Sequence, residues 1–208
     1  MHDAADRLAG TGDDLSSLLA EASSTPEETR VLLRRWQNGA LDARDELIKR
    51  LHPELVEIAA ARLRRERDTS LSTGDLINQV VLRIIRAEGL ALTDRAHFVA
   101  LSSRMMRHIL VDHARAKSSS KRDHAKVELS TAIDGGQRVD LISLESALIR
   151  LKAIDAQLME LVEMRYFGGM TIADISVVLG VSEPTVKRRW QVARAWLADA
   201  LESQVDHD

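Results

Sequence analysis

No cysteine occurs among the 208 residues, which excludes disulfides and thiolate metal sites. Aromatic residues make up 3% of the chain and there are three prolines, so any core is built from aliphatic side chains and few positions interrupt a helix. No apolar run approaches the roughly 18 to 20 residues needed to span a membrane. The first 25 residues are polar and acidic, unlike a signal peptide. A cytoplasmic protein with no membrane partner is the expectation. Catalytic patterns are missing as well: there is no HExxH, no glycine-rich phosphate loop and no G-x-S-x-G. His108 and His113 lie about 140° apart around a helix, which is wrong for shared metal ligation. No catalytic residue, metal or cofactor is therefore assigned, and the chain is not read as an enzyme.

The formal net charge is −3, yet its distribution is uneven. From Met1 to Glu28 there are seven acidic residues against one arginine, whereas from Arg104 to Lys126 there are seven Lys or Arg against two Asp. A chain polarised in this way can meet nucleic acid with its basic parts and a basic protein surface with its acidic ones.

The most informative stretch is Thr171 to Trp196, TIADISVVLGVSEPTVKRRWQVARAW. Thr171 with Asp174 has the spacing of a capping box. Ile172, Ile175 and Leu179 follow at helical intervals, and Gly180 sits where a left-handed C-terminal residue is required. Ser182 is the next N-cap, with Pro184 in the first turn. Val186, Trp190, Ala193 and Leu197 then mark a buried face, leaving Thr185, Lys187, Arg188, Arg189 and Gln191 to point outward. Two helices about a tight turn, the second one basic, suit the major groove of DNA.

Ahead of this unit, residues 1–24 lack a period and read as a disordered acidic extension. Thr25, Pro26 and Glu28 open a helix that carries Val31, Leu32 and Trp36 inward and ends at Asn38-Gly39. A helix from Leu41 to about Glu66 is expected to break or kink at His52-Pro53. Ser72 and Asp75 cap the next segment, which buries Leu76, Ile77, Val80, Val81 and Ile84. Asp75, Gln79, Arg83 and Arg86 fall within about 80° of one another on its outer face. Asp94 to Lys117 forms a long helix with Phe98, Leu101, Met105 and Ile109 inward and Arg104, Arg107, His108 and Arg115 on another face, a basic stripe fit for nucleic acid. Residues 118–140 read as a linker. Two further helices, Leu141 to Leu151 and Ala156 to Phe167, precede the helix-turn-helix, with Gly168-Gly169 ending the second. The fold class is all-α: two helical domains, residues 25–117 and 141–203, joined by a flexible linker.

Taken together, the chain from Glu27 to Glu202 resembles a bacterial RNA polymerase sigma factor of the extracytoplasmic-function (ECF) type. HPELVEIAAARLRRER followed by DLINQVVLRI resembles the family's second conserved region, which docks on the clamp of the polymerase largest subunit. FVALSSRMMRHILVDHARAKSSSKR resembles the part that melts and reads the promoter −10 element, and the helix-turn-helix resembles the fourth region, which reads the −35 element. The resemblance implies that Asp75, Leu76, Asn78 and Gln79 bind core polymerase. It implies that Arg104, Arg107, His108 and Arg115, with Asp112 among them, serve the −10 element, and that Ser182, Thr185, Lys187, Arg188 and Arg189 serve the −35 element. Typical members place Asn where His108 stands, with an aromatic residue before it. The implied partners are core RNA polymerase, through its clamp and flap, and promoter DNA, with a Ser/Thr kinase or an anti-sigma factor as a regulator.

One departure bears on regulation. Family members carry an acidic stretch of the form D-A-E-D-L-V-Q-E at the docking helix, where this chain has Ser72, Thr73, Gly74, Asp75, Leu76, Ile77, Asn78 and Gln79. The segment resembles a subgroup that lacks these acids and is switched on by a kinase, so Thr73, then Ser72 or Thr69, is the candidate phosphosite. A phosphate there adds nearly two negative charges at a helix N-terminus. Against this stands the reading that Ser72 and Thr73 merely cap the helix. Two other functions remain open at this point: a helix-turn-helix activator or repressor that binds duplex DNA as a dimer, and a sigma-mimicking adaptor that ignores promoter DNA. The acidic extension is also expected to lie on the basic faces as an inhibitory tail.

Overall fold

The computed structural model describes residues 26–64, 70–87, 89–120, 128–129 and 139–205. Eight helices are found among them: α1 (Pro26–Gln37), α2 (Leu41–Leu63), α3 (Thr73–Arg86), α4 (Arg95–Ser120), α5 (Leu141–Ile154), α6 (Ala156–Tyr166), α7 (Ile172–Leu179) and α8 (Glu183–Val205). Two residue pairs, β1 (Glu128–Leu129) and β2 (Val139–Asp140), form a short antiparallel ladder between α4 and α5. The all-α expectation is therefore met. The N-terminal extension and most of the expected linker lie outside the described residues.

Local chemistry accounts for the helix ends. Ser72 Oγ accepts from the Asp75 amide at 3.1 Å while the Asp75 carboxylate accepts from the Ser72 amide at 3.3 Å, a complete capping box at the start of α3. Asp155 caps α6 by accepting from the amides of Gln157 and Leu158 at 2.8 and 3.2 Å. That cap went unnoticed in the sequence. Of the break or kink expected at His52-Pro53, the break does not occur: α2 runs unbroken for 23 residues. Pro53 is exposed, so the carbonyl it leaves unpaired can meet water. Leu47, Leu51, Leu55 and Ala59 are buried on one face spanning the proline and hold both halves in line. Val31, expected inside, is 42% exposed, and its neighbour Leu33 takes the fully buried place.

The eight helices do not make two separate cores. Leu33, Leu47, Leu76, Phe98 and Met106 from the first four helices share a continuous apolar cluster with Leu144, Leu148, Phe167, Ala193 and Leu197 from the last four. A second, smaller cluster packs Ala96 and Val99 of α4 against Leu161 and Met164 of α6, Met170, and Ile175 of α7. At roughly 25 cal/mol per Å² of apolar surface removed from water, burying these side chains favours the contact between the halves.

Candidate nucleic-acid interface

The helix-turn-helix is built as its residues dictate. Thr171 Oγ1 accepts from the Asp174 amide at 3.1 Å and caps α7. Gly180 ends that helix at φ 62°, ψ 31°, a conformation that a side chain would strain. Ile175 and Val186 are fully buried between the two helices. On α8, Ala193 and Leu197 continue the buried face and Trp190 is half-buried, as the spacing predicts. Lys187, Arg188 and Gln191 stand exposed, as does Ser182, whose hydroxyl pairs with that of Thr185 at 2.9 Å. Arg189 is half-buried and donates from Nη1 to Gln157 Oε1 of α6 at 2.6 Å.

A further residue sets the unit on its support. Arg165 of α6 donates to the Met170 carbonyl at 2.8 Å, and its guanidinium lies 5.7 Å from the centroid of the Trp190 ring. It therefore ties α6 to the approach of α7 and to the middle of α8. The sequence offered no signal for this role beyond an arginine in the turn before a glycine pair.

The basic face of α4 is where structure and sequence reading differ most. Arg104, His108 and Arg115 are exposed, but Arg107 is only 7% exposed. Its Nε donates to Glu163 of α6 and its Nη1 to Glu145 of α5, both at 2.7 Å. Arg104 reaches the same Glu163 at 3.5 Å and Glu160 at 3.7 Å. The stripe expected to face outward is thus partly turned into the contact between the two halves, because carboxylates distant in sequence compensate it there. Arg107 Nη2 also donates to His108 Nε2 at 3.1 Å, which requires that ring nitrogen to be unprotonated. Partial burial of its ring, with the nearby Arg107 charge, pushes the His108 imidazole below its usual range. Asp112 is paired with Arg83 of α3 at 3.0 Å.

On α3, Leu76 is fully buried. Read as a polymerase contact, it is instead a core residue, since a helix exposes only the side of its periodicity that is not packed. Asp75 is exposed, but its carboxylate serves the cap, and the hydrogen bonds from the Ser72 side chain and backbone hold it below the usual carboxylate range. Asn78, Gln79 and Arg86 are exposed, together with Leu82 (48%) and Ile85 (39%). The positions i, i+1, i+4, i+7 and i+8 make one continuous face with two uncovered aliphatics. Leu82 and Ile85 were hidden in the sequence by their neighbours, because every residue of VVLRII except Arg83 is compatible with a core.

Two helices in helix-turn-helix order, the first capped by Thr171 and closed by Gly180 and the second basic, together with a preceding four-helix unit span the chain in one arrangement. Residues 26–203 match the model of the ECF sigma factor family. The chain belongs to the ECF sigma factor family. It is therefore an alternative sigma factor, a transcription regulator of the class that works with core RNA polymerase and promoter DNA. A solved structure of CnrH in complex with the cytosolic domain of CnrY is similar at 20% identity, with a TM-score of 0.41, over 85% of this chain and 98% of the CnrH chain. No curated protein matches this sigma factor. No helix among its described residues is long and apolar enough to cross a membrane, and no group of three or more potential metal ligands occurs among them.

Proposed function

We propose that residues 25–117 of this sigma factor dock on core RNA polymerase through the Asn78, Gln79, Leu82, Ile85 and Arg86 face of α3 and read the promoter −10 element with α4. On this reading residues 141–203 read the −35 element with Ser182, Thr185, Lys187 and Arg188 of α8, and the protein acts in the cytoplasm. The observation that carries it is the uncovered aliphatic pair Leu82 and Ile85 beside polar Asn78 and Gln79. An apolar centre with a polar rim is how a protein interface is composed. Base and phosphate contacts then supply promoter specificity with no chemical step performed by the sigma factor itself.

Phosphorylation of Thr73 is the proposed switch. The Ser72 hydroxyl is engaged in both directions with Asp75, accepting from its amide and donating to its carboxylate at 2.6 Å. Phosphate on Ser72 would dismantle the cap. Thr73, the first residue of α3, is half-exposed and its hydroxyl makes no hydrogen bond among the described residues, so a phosphate can be added there with the cap intact and favoured by the helix N-terminus. Thr69 lies outside the described residues.

The test is a pulldown with core polymerase followed by run-off transcription, using the unmodified protein, Thr73→Glu, and Leu82→Asp/Ile85→Asp. Promoter-specific initiation that disappears with the aspartate pair supports the docking face, and a gain with Thr73→Glu supports the switch. Specific binding of free protein to duplex DNA with no core association would replace this reading with that of an ordinary helix-turn-helix regulator.

A further inference from the structure

Arg189 lies in the second turn of α8 and is half-buried, at the edge of the helix and off the outward face that carries Lys187, Arg188 and Gln191. Spacings of three and four place it on one edge with Ser182 and Thr185. Its Nη1 donates to Gln157 Oε1 of α6 at 2.6 Å. Gln157 is itself fixed in place, because its backbone amide donates to Asp155 Oδ1 at 2.8 Å within the cap that opens α6. An arginine offers donors only, so the side-chain oxygen of Gln157 must face it and the Gln157 NH2 group turns away. Among the described residues neither that NH2 group nor Arg189 Nε and Nη2 has a hydrogen-bond partner.

Holding Nη1 has two consequences. A free arginine samples many rotamers, and a hydrogen bond at its tip removes much of that freedom before a ligand arrives. It also decides which edge of the planar fork is presented: Nε–H and one Nη2–H run parallel along the edge that Gln157 leaves open. Two parallel donors match the O6 and N7 acceptors that guanine shows in the major groove, whereas adenine sets its N6 donor against one of them. Gln157 cannot read adenine for itself, because the bidentate amide contact to adenine needs the oxygen that faces Arg189. We propose that Gln157 is a positioning residue for base selection by α8, holding Arg189 in the orientation that reads one guanine. This rests on the assignment of α8 to the −35 element. The same two donors fit a phosphate, a contact that is blind to sequence, and the test separates the two ligands.

Selection from duplexes randomised over one major-groove turn, with the full-length protein bound to core polymerase, gives the base preference at each position. The wild type is expected to prefer guanine over adenine by about tenfold at one position, within the range of a bidentate arginine contact. Arg189→Ala should abolish that preference and leave the other positions unchanged. Gln157→Ala should lower it about threefold, the part that comes from holding the side chain still. Gln157→Glu keeps an acceptor for Nη1 and should restore the ratio, whatever its added charge does to overall binding. A merely structural role for Gln157 would instead move all positions together. Cooperative melting confirms that each variant is folded, and Gln157→Met, which keeps the length of the side chain, decides if the alanine variant does not fold. A Gln157→Ala profile identical to that of the wild type overturns the positioning role. A uniform loss over all sequences in Arg189→Ala, with the salt slope reduced by about one, makes Arg189 a phosphate contact and overturns it as well. A preference that depends on Arg188 but on neither Arg189 nor Gln157 leaves α8 as the reading helix and removes this proposal alone. A profile indifferent to Lys187, Arg188 and Arg189 alike removes the assignment of α8 itself.

Discussion

Gly168, in the turn after α6, and Ser103 of α4 approach so closely that no side chain fits between them. A Cβ on Gly168 would lie 2.0 Å from Ser103 Oγ and 3.0 Å from Ser103 Cβ. The Ser103 hydroxyl is itself satisfied locally, donating to the Val99 carbonyl at 2.7 Å, so it cannot easily swing away. Gly168→Ala should therefore destabilise the protein by about 1–3 kcal/mol, the usual range for overpacking. Part of the cost lies within α6, because the same Cβ would stand 2.8 Å from the Met164 carbonyl. Thermal melts of Gly168→Ala, Ser103→Gly and the double variant separate the two contributions. Coupling between the sites is the expected result, and strict additivity would place the whole effect inside α6.

Arg62 is buried against Tyr166 and Phe167, whose rings meet edge to face at 4.7 Å. A planar guanidinium can stack on them where an ammonium cannot. Arg62→Lys should lower stability by about 2 kcal/mol, the scale of a desolvated cation–π contact. Chemical denaturation would measure this. A change below about 0.5 kcal/mol, typical of an uncoupled surface position, would mean that the stacking contributes nothing.

His108 gives a pH dependence of definite sign. Burial, then Arg107 and Arg83, lower its pKa below 6.5, outweighing Glu163 and Glu145, which raise it. The folded protein therefore holds fewer protons at this position than the unfolded chain in the window just below pH 6.5, so stability rises with pH there. The contribution is present in full above that value and is lost as pH falls through the folded-state pKa. Melting temperature should drop from about pH 7.5 to about pH 5.5, and His108→Gln should flatten the slope. An identical slope in the two proteins would assign the acid sensitivity elsewhere.

Capping and signalling are separable at the start of α3. Ser72→Ala removes both hydroxyl bonds of the cap and should cost about 1 kcal/mol. Thr73→Ala touches no hydrogen bond among the described residues and should be within about 0.5 kcal/mol of wild type, as surface changes are. Comparable losses for the two variants would show that Thr73 also holds the helix, and would leave less room for a modification there.

On α8, Lys187 is exposed with only a loose contact to Glu183 at 4.0 Å, whereas Arg189 is held by Gln157. If α8 enters DNA, Lys187→Ala should weaken binding to all sequences and reduce the salt slope by about one. Gln157→Ala should change which base is preferred near Arg189 and leave the slope unchanged. Salt titrations on a panel of duplexes distinguish these outcomes.

Most of the local architecture was legible in the sequence. The caps at Ser72 and Thr171, the left-handed Gly180 and the buried positions Val186, Ala193 and Leu197 depend on residues three or four apart, and that spacing is written in the chain. The structure corrected the reading wherever burial on one face outweighed a local preference. It carried α2 through Pro53, put Leu33 inside in place of Val31, and exposed Leu82 and Ile85 from a run whose one polar member is Arg83. The environment of Arg107 was not legible at all. Its partners Glu145 and Glu163 lie 38 and 56 residues away, and an arginine on a basic stripe looks the same in sequence whether it faces water or a pair of carboxylates. The sequence by itself determined the helices, their order and the chemistry each one carries. Only the tertiary structure decided which of those charges meet each other, because ion pairing and burial across an interface depend on distances that no periodicity encodes.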